Sequence, residues 1–339
     1  MTTSDIFVPP EWAEQSALWV GWPHLKAEWG EAFDGARAEI AAFIQAARKF
    51  LPVRVACGSE EARYSAFQAT GSHVTHLHQV EIPTGDIWLR DTGPILAEVD
   101  GLPGALCFEF NGWGGKFIMP GDQETAEAIA AHDQVTPYRH DFVLEGGAVE
   151  LDGAGRLLTT RQCLLNPNRN PGWDEASAEA ALKTAFGVSE IIWLERGLKN
   201  DHTDGHIDNL ARFIGPGHVL CPAVSGVDDP NAALYEEVAR DLIAAGLRVS
   251  RLPCPGLIGA CEPASHMNFV MINGALLLPI YEDKYSAQAI RALERLFPDR
   301  EIIALPARHI LSGGGSFHCM TREIPRFPIV LEPGFENDR

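Results

Sequence analysis

"HIDNLARFIGPGHVLCPAV", residues 206–224, decides the fold because its pattern recurs along the chain. A polar residue starts an alternating apolar strand, a glycine-containing turn follows, and a second apolar strand returns, as in a β-hairpin. Three other stretches have the same pattern and a fourth has only its first strand: "RDTGPILAEVDGLPGALCFEFN" (90–111), "EGGAVELDGAGRLLTT" (145–160), "NFVMINGALLLPIYED" (268–283) and "CMTREIP" (319–325). The pattern indicates an internal repeat.

The polar residues at the starts of these stretches are evenly spaced. Taken as markers, they are Asp91, Glu145, His206, Asn268 and Cys319, and they lie 54, 61, 62 and 51 residues apart. A near-constant period of this length is typical of repeat architectures. If five units close round an axis, the markers converge on one pocket. The fifth unit lacks a second strand after Cys319, and we predict that "SALWVGWP" (16–23) supplies it.

Between the hairpins lie segments with helical periodicity, each followed by a short apolar run of strand type. The helical segments are at about 34–49, 121–132, 174–186, 231–245 and 284–297, and the runs are "VRVAC", "TPYRHDFV", "SEIIWLE", "GLRVSRLP" and "REIIALP". Each unit is therefore predicted to contain two hairpin strands, a helix and a further strand. No low-complexity tract or linker interrupts the units.

The composition limits the classes of function. The 339 residues are 46% hydrophobic and carry 46 acidic against 27 basic side chains, a formal charge of -19. This charge disfavours nucleic acid and membrane surfaces as partners and suits a small cationic substrate, although an acidic surface also favours solubility. No secretory signal or apolar span is visible, so we expect a cytoplasmic protein. The sequence leaves a homo-oligomer open.

The markers also indicate a chemistry. The seven cysteines show no CxxC pair and read as reduced thiols. A cysteine thiolate can act as a nucleophile, a histidine can shuttle protons, and two carboxylates facing one planar cation suit a guanidinium group.

Each residue also has a plainer interpretation. Cys319 could be a small core residue, and Glu145 could be a turn residue. His206 and Asp208 would share a face on a strand and form an ordinary hydrogen bond, whereas Arg90 and Asp91 could be a surface ion pair. Only the shared period favours the functional interpretation of all of them together.

The motifs themselves resemble a known family. They are "PPEW" (9–12), "GDIWLRDTGP" (85–94), "FNGWGG" (110–115), "LEGGAVELDGAGRLLTTRQCLLNPNRNPG" (144–172), "WLERGL" (193–198), "TDGHIDNLARF" (203–213) and "GGGSFHCMT" (313–321). In this order they are similar to the agmatine deiminase and bacterial peptidylarginine deiminase family of the guanidino-group-modifying superfamily. The resemblance implies a five-bladed α/β propeller of ββαβ pseudo-repeats, the pentein fold, in a single deiminase domain over residues 1–339.

The resemblance also implies an activity and site residues. The reaction would convert agmatine to N-carbamoylputrescine and ammonia through a covalent amidino-cysteine, without a metal or an organic cofactor. Cys319 would be the nucleophile and His206 the acid and then the base. Asp91 and Asp208 would clamp the guanidinium group, and Glu145 would orient the histidine.

The resemblance is weaker at the tail of the substrate. Trp88, and with less support Trp113, would flank its aliphatic chain, and Asn268 marks the fourth unit and so would face the pocket. The family carries a carboxylate for the distal amine four positions before the histidine, where this chain has His202. Asp201 or Asp204 could replace that charge, and Arg322 adds a cation near Cys319.

Three alternatives to agmatine deimination stay open at this point. One is a deiminase of free L-arginine, of a C-terminal peptidyl-arginine or of another alkylguanidine, since a histidine could accommodate a carboxylate. A metal-dependent hydrolase would use His202 and His206, four residues apart, although Gly205 argues against a helix there. A binding protein on the same scaffold would have no need of a nucleophile.

Overall fold

The computed structural model describes residues 5–71, 76–259, 262–281 and 284–327; residues 282–283 of the predicted fourth hairpin and Cys261 lie outside these ranges. The strands are β1 (Ile6–Phe7), β2 (Gln15–Gly21), β3 (Val53–Cys57), β4 (Leu77–Glu81), β5 (Ile95–Val99), β6 (Leu102–Glu109), β7 (Thr136–Val143), β8 (Glu150–Leu151), β9 (Arg156–Thr160), β10 (Glu190–Leu194), β11 (Arg212–Gly215), β12 (His218–Ala223), β13 (Arg248–Pro253), β14 (Val270–Ile272), β15 (Ala275–Ile280), β16 (Glu301–Pro306) and β17 (Thr321–Pro325).

The helices include several single turns. They are α1 (Lys26–Trp29), α2 (Phe33–Ala47), α3 (Glu60–Thr70), α4 (Leu89–Thr92), α5 (Gly112–Gly115), α6 (Thr125–Asp133), α7 (Arg161–Leu164), α8 (Glu175–Phe186), α9 (Ala232–Ala244), α10 (Ser286–Leu296) and α11 (Arg308–Leu311). The five predicted helices correspond to α2, α6, α8, α9 and α10, with ends within a few residues. In the described ranges the longest helix has 15 residues, and none has the length and apolarity needed to cross a membrane.

The strands form five sheets that repeat one topology. The orders are β1-β5-β6-β7, β10-β9-β8, β11-β12-β13, β14-β15-β16 and β17-β2-β3-β4. In each sheet an antiparallel pair is followed, after a helix, by a strand parallel to the second member of the pair. The predicted ββαβ unit is therefore present five times, and the class is α/β with mixed sheets.

The last strand pairs with a strand near the start of the chain. β17 is antiparallel to β2, with Thr321 opposite Val20 and Glu323 opposite Leu18. The prediction that "SALWVGWP" completes the fifth unit is confirmed by this pairing. A further strand, β4, follows α3 and extends the same sheet by pairing in parallel with β3. This extension was not predicted from the sequence.

Each helix packs an apolar face on its sheet. In α2, Ile40, Phe43 and Ile44 are fully buried and belong to one cluster with Leu18 of β2 and Val53 of β3. Burying a side chain of this size contributes about 1.5–3 kcal/mol. Helix ends are fixed by local hydrogen bonds, for example where the Asp174 carboxylate accepts from the Ser177 N–H at the start of α8.

The marker residues lie in short turns before the strands, not on the strands. Asp91 is in α4, Glu145 precedes a 3₁₀ turn over 146–148, and His206 precedes a 3₁₀ turn over 207–209 that contains Asp208. The plainer interpretation, in which His206 and Asp208 share a strand face, therefore does not apply. In a 3₁₀ turn successive side chains point about 120° apart, so one short turn can direct both residues to different parts of a site.

Candidate active site

A cavity of about 170 Å³ is lined by Cys319 and by residues from several distant segments of the chain. Its aromatic walls are Trp29, Trp88, Trp113 and Phe117, and its carboxylates belong to Glu28, Asp86 and Asp91. Among the residues that the structure describes, neither a lysine nor an arginine lines it. The cavity is thus apolar along its walls and acidic, which suits an alkyl chain carrying positive charge.

The glycine turn before Cys319 brings backbone close to aromatic rings. A Cβ atom added to Gly315 would lie 2.6 Å from Cζ3 of Trp88 and 3.2 Å from Sγ of Cys319, and one added to Gly313 would lie 2.6 Å from Cη2 of Trp29. Only glycine fits such close approaches without movement of the rings. The absence of side chains on this turn therefore shapes the cavity wall next to the thiol.

Asn268 holds the segment that carries Cys319. Its side-chain oxygen accepts hydrogen bonds from the N–H groups of His318 at 2.9 Å and Cys319 at 3.3 Å, and its amide nitrogen lies 3.2 Å from Sγ of Cys319. Asn268 is fully buried behind the thiol and does not line the cavity. Its position is that of a support for the cysteine, whereas the sequence analysis expected it to face the pocket.

The Cys319 thiol is surrounded by acidic groups. Sγ lies 3.7 Å from Oδ2 of Asp208. Burial, and then the charges of Asp208 and Asp91, raise the pKa of the Cys319 thiol well above its usual value. Without a compensating cation the sulfur is held as a thiol at neutral pH.

The two carboxylates are fixed in different ways. Asp91 accepts from the Gly147 N–H and from the Trp113 indole N–H, each at 2.9 Å. Asp208 is fully buried and has a contact of 2.8 Å between Oδ2 and Nδ1 of His318, while its Oδ1 has no hydrogen-bond partner among the described residues. A buried, unpartnered carboxylate oxygen is costly, and a charged donor would relieve that cost.

His206 lies between the carboxylates of two units. Nδ1 is 3.7 Å from Oδ1 of Asp91, and Nε2 is 4.0 Å from Oε2 of Glu145. Burial lowers the pKa of His206, but Asp91 and the neighbouring Cys163 outweigh burial and hold this pKa well above its usual value. These surroundings favour the protonated imidazole, which is the form able to act as an acid.

Arg169, which the sequence analysis missed, holds Glu145. Its Nε lies 2.6 Å from Oε1 of Glu145, and its Nη1 lies 2.8 Å from Oδ2 of Asp204. Asp204 also contacts Nζ of Lys116 at 2.5 Å and does not line the cavity. Asp204 is therefore committed to internal ion pairs, and it is His202, exposed at the mouth, that lines the cavity.

Three residues that line the cavity, Trp29, Trp88 and Asp86, form one unit. Trp88 stacks on Trp29, with ring centroids 5.9 Å apart and planes at 24°, and the Trp29 indole donates to Oδ1 of Asp86 at 3.0 Å. Trp88 and Trp113 thus lie where the sequence analysis expected cavity walls. Asp86 and Trp29 were missed, although Asp86 stands inside the quoted "GDIWLRDTGP" motif, two residues before Trp88.

Two cations that the sequence analysis associated with the site lie away from the cavity. Arg90 is buried and pairs with Glu323 at 2.7 Å, so it forms no surface pair with Asp91. Arg322 donates to the Arg90 carbonyl and lines a separate small cavity with Glu11 and His318. Arg322 therefore does not line the cavity of the thiol, and a cation near Cys319, as expected from the sequence, stays a prediction.

A metal-ligating arrangement is also present. Ligand atoms of Glu145, Cys163 and His206 all lie within 4.8 Å of one another, and all three residues are buried. His202 is not part of this group, and residues 201–206 form turns, not a helix. The i, i+4 histidine pair that would serve a metal-dependent hydrolase is thus not formed.

Comparison with known proteins relates the chain to deiminases. Residues 7–325 match the family described as Porphyromonas-type peptidyl-arginine deiminase. An agmatine deiminase of Stutzerimonas stutzeri is 36% identical over 94% of this chain and 95% of its own length.

Solved structures agree with these relatives. An agmatine deiminase of C. jejuni, with a cysteine replaced by serine and substrate bound, aligns with a TM-score of 0.90 at 30% identity over 96% of this chain and 98% of that one. A putative arginine deiminase of Porphyromonas gingivalis aligns at 0.85 with 34% identity over 95% and 98%. With the family matched over nearly the whole length, this chain belongs to the Porphyromonas-type peptidyl-arginine deiminase family.

Proposed function

We propose that this protein is an agmatine deiminase, a hydrolase that acts on the carbon–nitrogen bond of a linear amidine. The observation that carries the proposal is the position of Cys319, which lies beside Asp208 and lines one cavity with Asp91. Among the described residues that line this cavity, the only charged side chains are carboxylates. The curated agmatine deiminases that match this chain over 94% of its length support it.

The first half of the reaction forms a covalent adduct. The guanidinium group lies between Asp91 and Asp208, where the unpartnered Oδ1 of Asp208 accepts one of its N–H groups. The Cys319 thiol releases its proton to solvent when the guanidinium binds, its thiolate Sγ attacks the guanidinium carbon, and His206 donates a proton to the nitrogen that leaves as ammonia. An amidino-thioether on Cys319 remains.

The second half releases the product. His206, now neutral, accepts a proton from a water molecule that attacks the same carbon. The carbon–sulfur bond breaks and the thiolate returns, the protonated product gives its remaining hydroxyl proton to ammonia or solvent, and neutral N-carbamoylputrescine leaves. Glu145, itself held by Arg169, orients the imidazole through both steps and favours its protonated form.

The substrate itself supplies the charge that activates the thiol. In the free protein Asp208 and Asp91 raise the pKa of Cys319, since they oppose a second negative charge nearby. A guanidinium between these carboxylates offsets their charge and favours the thiolate. Nucleophile activation is thereby tied to binding of a cation.

The charge of the cavity favours agmatine over arginine. Its acidic lining offers no described lysine or arginine to an α-carboxylate, and Glu28, Asp86 and Asp91 would repel one. His202 at the mouth is the feature that favours free arginine or a C-terminal arginine, as a second candidate substrate class.

The arrangement of the whole chain is part of the proposal. Five sheets share one topology, and the pairing of β17 with β2 brings the two ends of the chain into one sheet. Both features support a closed five-bladed propeller in a single domain. The markers of all five units would then meet near its axis. A cytoplasmic location stays a prediction, and a homo-oligomer stays open.

The experiment is a comparison of substrates. Purified protein is offered agmatine, L-arginine and a peptide ending in arginine, and ammonia release is measured for each. We expect the highest kcat/KM with agmatine, and a loss of about 10³-fold or more in the Cys319→Ser variant with agmatine binding retained.

Each contrary result has a separate meaning. A preference for L-arginine or the peptide would change the proposed substrate but not the proposed class of reaction. Turnover by Cys319→Ser, or activity that is abolished by a chelator and insensitive to a thiol alkylator, would refute the cysteine mechanism.

A further inference from the structure

We propose that Asp86 is the binding site for the distal ammonium group of the substrate and takes the place of the carboxylate that is absent at position 202. The inference rests on the proposed deiminase function and adds to it a residue that distinguishes agmatine from guanidines without a second cation. Asp86 lines the same cavity as Cys319 and is followed two residues later by Trp88.

The carboxylate of Asp86 has neutral partners only. It accepts from the indole N–H of Trp29 and is also approached by the backbone N–H of Ile87 and by the Trp88 indole. A carboxylate has about four acceptor positions, so one stays available to a further donor. Asp86 forms no ion pair with any residue in the described ranges, and the charge that affects it is that of Glu28, which is also negative.

Burial without a cation makes this carboxylate a receptor for one. Desolvation raises the pKa of Asp86 to about 6, because the charged form has lost water and gained no opposite charge. An ammonium group bound against it would restore that compensation. Of the residues that the sequence suggested for the distal amine, Asp204 is already paired with Lys116 and Arg169.

A second buried carboxyl lies next to it. Asp122 accepts from the Gly85 N–H at 2.7 Å, and its other oxygen has no hydrogen-bond partner among the described residues. Burial, and also the charge of Asp86, raise the pKa of Asp122 to about 7. Asp122 does not line the cavity with Cys319. It is therefore a neighbouring buried carboxyl without direct access to the substrate.

The rings around Asp86 complete an ammonium site. Trp29 and Trp88 stack beside it, and an ammonium over an indole face gains cation–π attraction. The same two rings contact Gly313 and Gly315, so the wall runs without interruption from the Cys319 turn to Asp86. An extended alkyl chain along this wall would have its guanidinium at one end and its amine at the other.

The test compares two substrates that differ only in the amine. Agmatine and n-butylguanidine share the guanidinium and the four-carbon chain, and butylguanidine lacks the distal ammonium. In Asp86→Asn we expect kcat/KM for agmatine to fall about 10- to 100-fold, and that for butylguanidine to change by about threefold or less. The asparagine oxygen can still accept from Trp29, so the wall keeps its shape.

Asp122→Asn is the matched control, because it removes a neighbouring buried carboxyl outside the cavity. We expect its preference for agmatine over butylguanidine to stay within about threefold of that of the unaltered protein. An equal loss of both substrates in Asp86→Asn, or equal use of both by the unaltered protein, would overturn the ammonium site. Failure of the unaltered protein to deiminate either guanidine would instead overturn the proposed function.

Discussion

At the scale of single residues, the site works through charges that are left uncompensated in the free protein. Burial, and then the charges of Asp208 and Asp91, raise the pKa of the Cys319 thiol, and Asp86 is buried without an ion-pair partner among the described residues. In the proposed function, each of these costs would be relieved by one end of a dicationic substrate. Recognition and activation are therefore two effects of the same electrostatics.

Asp208→Asn should make the Cys319 thiol more reactive while abolishing turnover. Asp208 raises the thiol pKa, so removing its charge lowers that pKa and increases the thiolate fraction at neutral pH. We expect alkylation of Cys319 by iodoacetamide, followed by mass spectrometry, to be about tenfold faster near neutral pH for each unit of pKa lost. Asp204→Asn, a change to a carboxylate outside the cavity, should leave the rate unchanged. A slower reaction in Asp208→Asn would show that the carboxylate activates the sulfur.

At the scale of elements, short turns position the groups that we propose to be catalytic. Asp91, Glu145, His206 and Cys319 each lie in or beside a turn that precedes a strand. Trp113 takes a left-handed backbone conformation, with φ of 53°, and its indole donates to Asp91. A bulky residue held in this region is strained, which is common at functional sites.

Gly315→Ala should impair catalysis through the wall of the cavity. Its added methyl would meet Trp88 at 2.6 Å and Cys319 Sγ at 3.2 Å, so the ring or the thiol must move. We expect kcat/KM for agmatine to fall about 10²-fold, since a displacement of this size misplaces the reacting groups. Gly215→Ala is the control, because its methyl would meet only His218 Cβ at 3.9 Å. Full activity in Gly315→Ala would mean that the turn tolerates a side chain.

At the scale of the whole molecule, the ends of the chain share one sheet. β17 begins two residues after Cys319 and pairs with β2, so the position of the proposed nucleophile depends on a strand from the start of the sequence. Ile324 of β17 is buried in a cluster with Ala17 and Trp19 of β2. Loss of this packing should therefore reduce stability and activity together.

Ile324→Ala should lower the free energy of unfolding by about 2–5 kcal/mol, the usual cost of truncating a buried isoleucine. Urea denaturation followed by circular dichroism measures this change, and ammonia release from agmatine measures the accompanying loss of activity. Ile243→Ala, at a residue of α9 that is 61% exposed, should cost about 0.5 kcal/mol or less. Equal stability of the two variants would show that the β17–β2 contact contributes little.

The sequence by itself determined the repeat, its hairpins and helices, and the strand that completes the fifth unit. Those features follow from local periodicity and from a period of 51 to 62 residues, both of which are visible in one dimension. Residues that the period marks, such as Cys319 and His206, could be chosen without coordinates.

Only the tertiary structure decided which side chains pair with which. In the structure Asp204 pairs with Arg169, and Arg322 lines a separate cavity. Among the described residues, Asp86 and one oxygen of Asp208 have no charged partner. The physical reason is that pairing depends on distances between turns of different units, and those distances are set by packing across five sheets. Local sequence records the identity of a charged residue, whereas its compensation is a property of the folded surroundings.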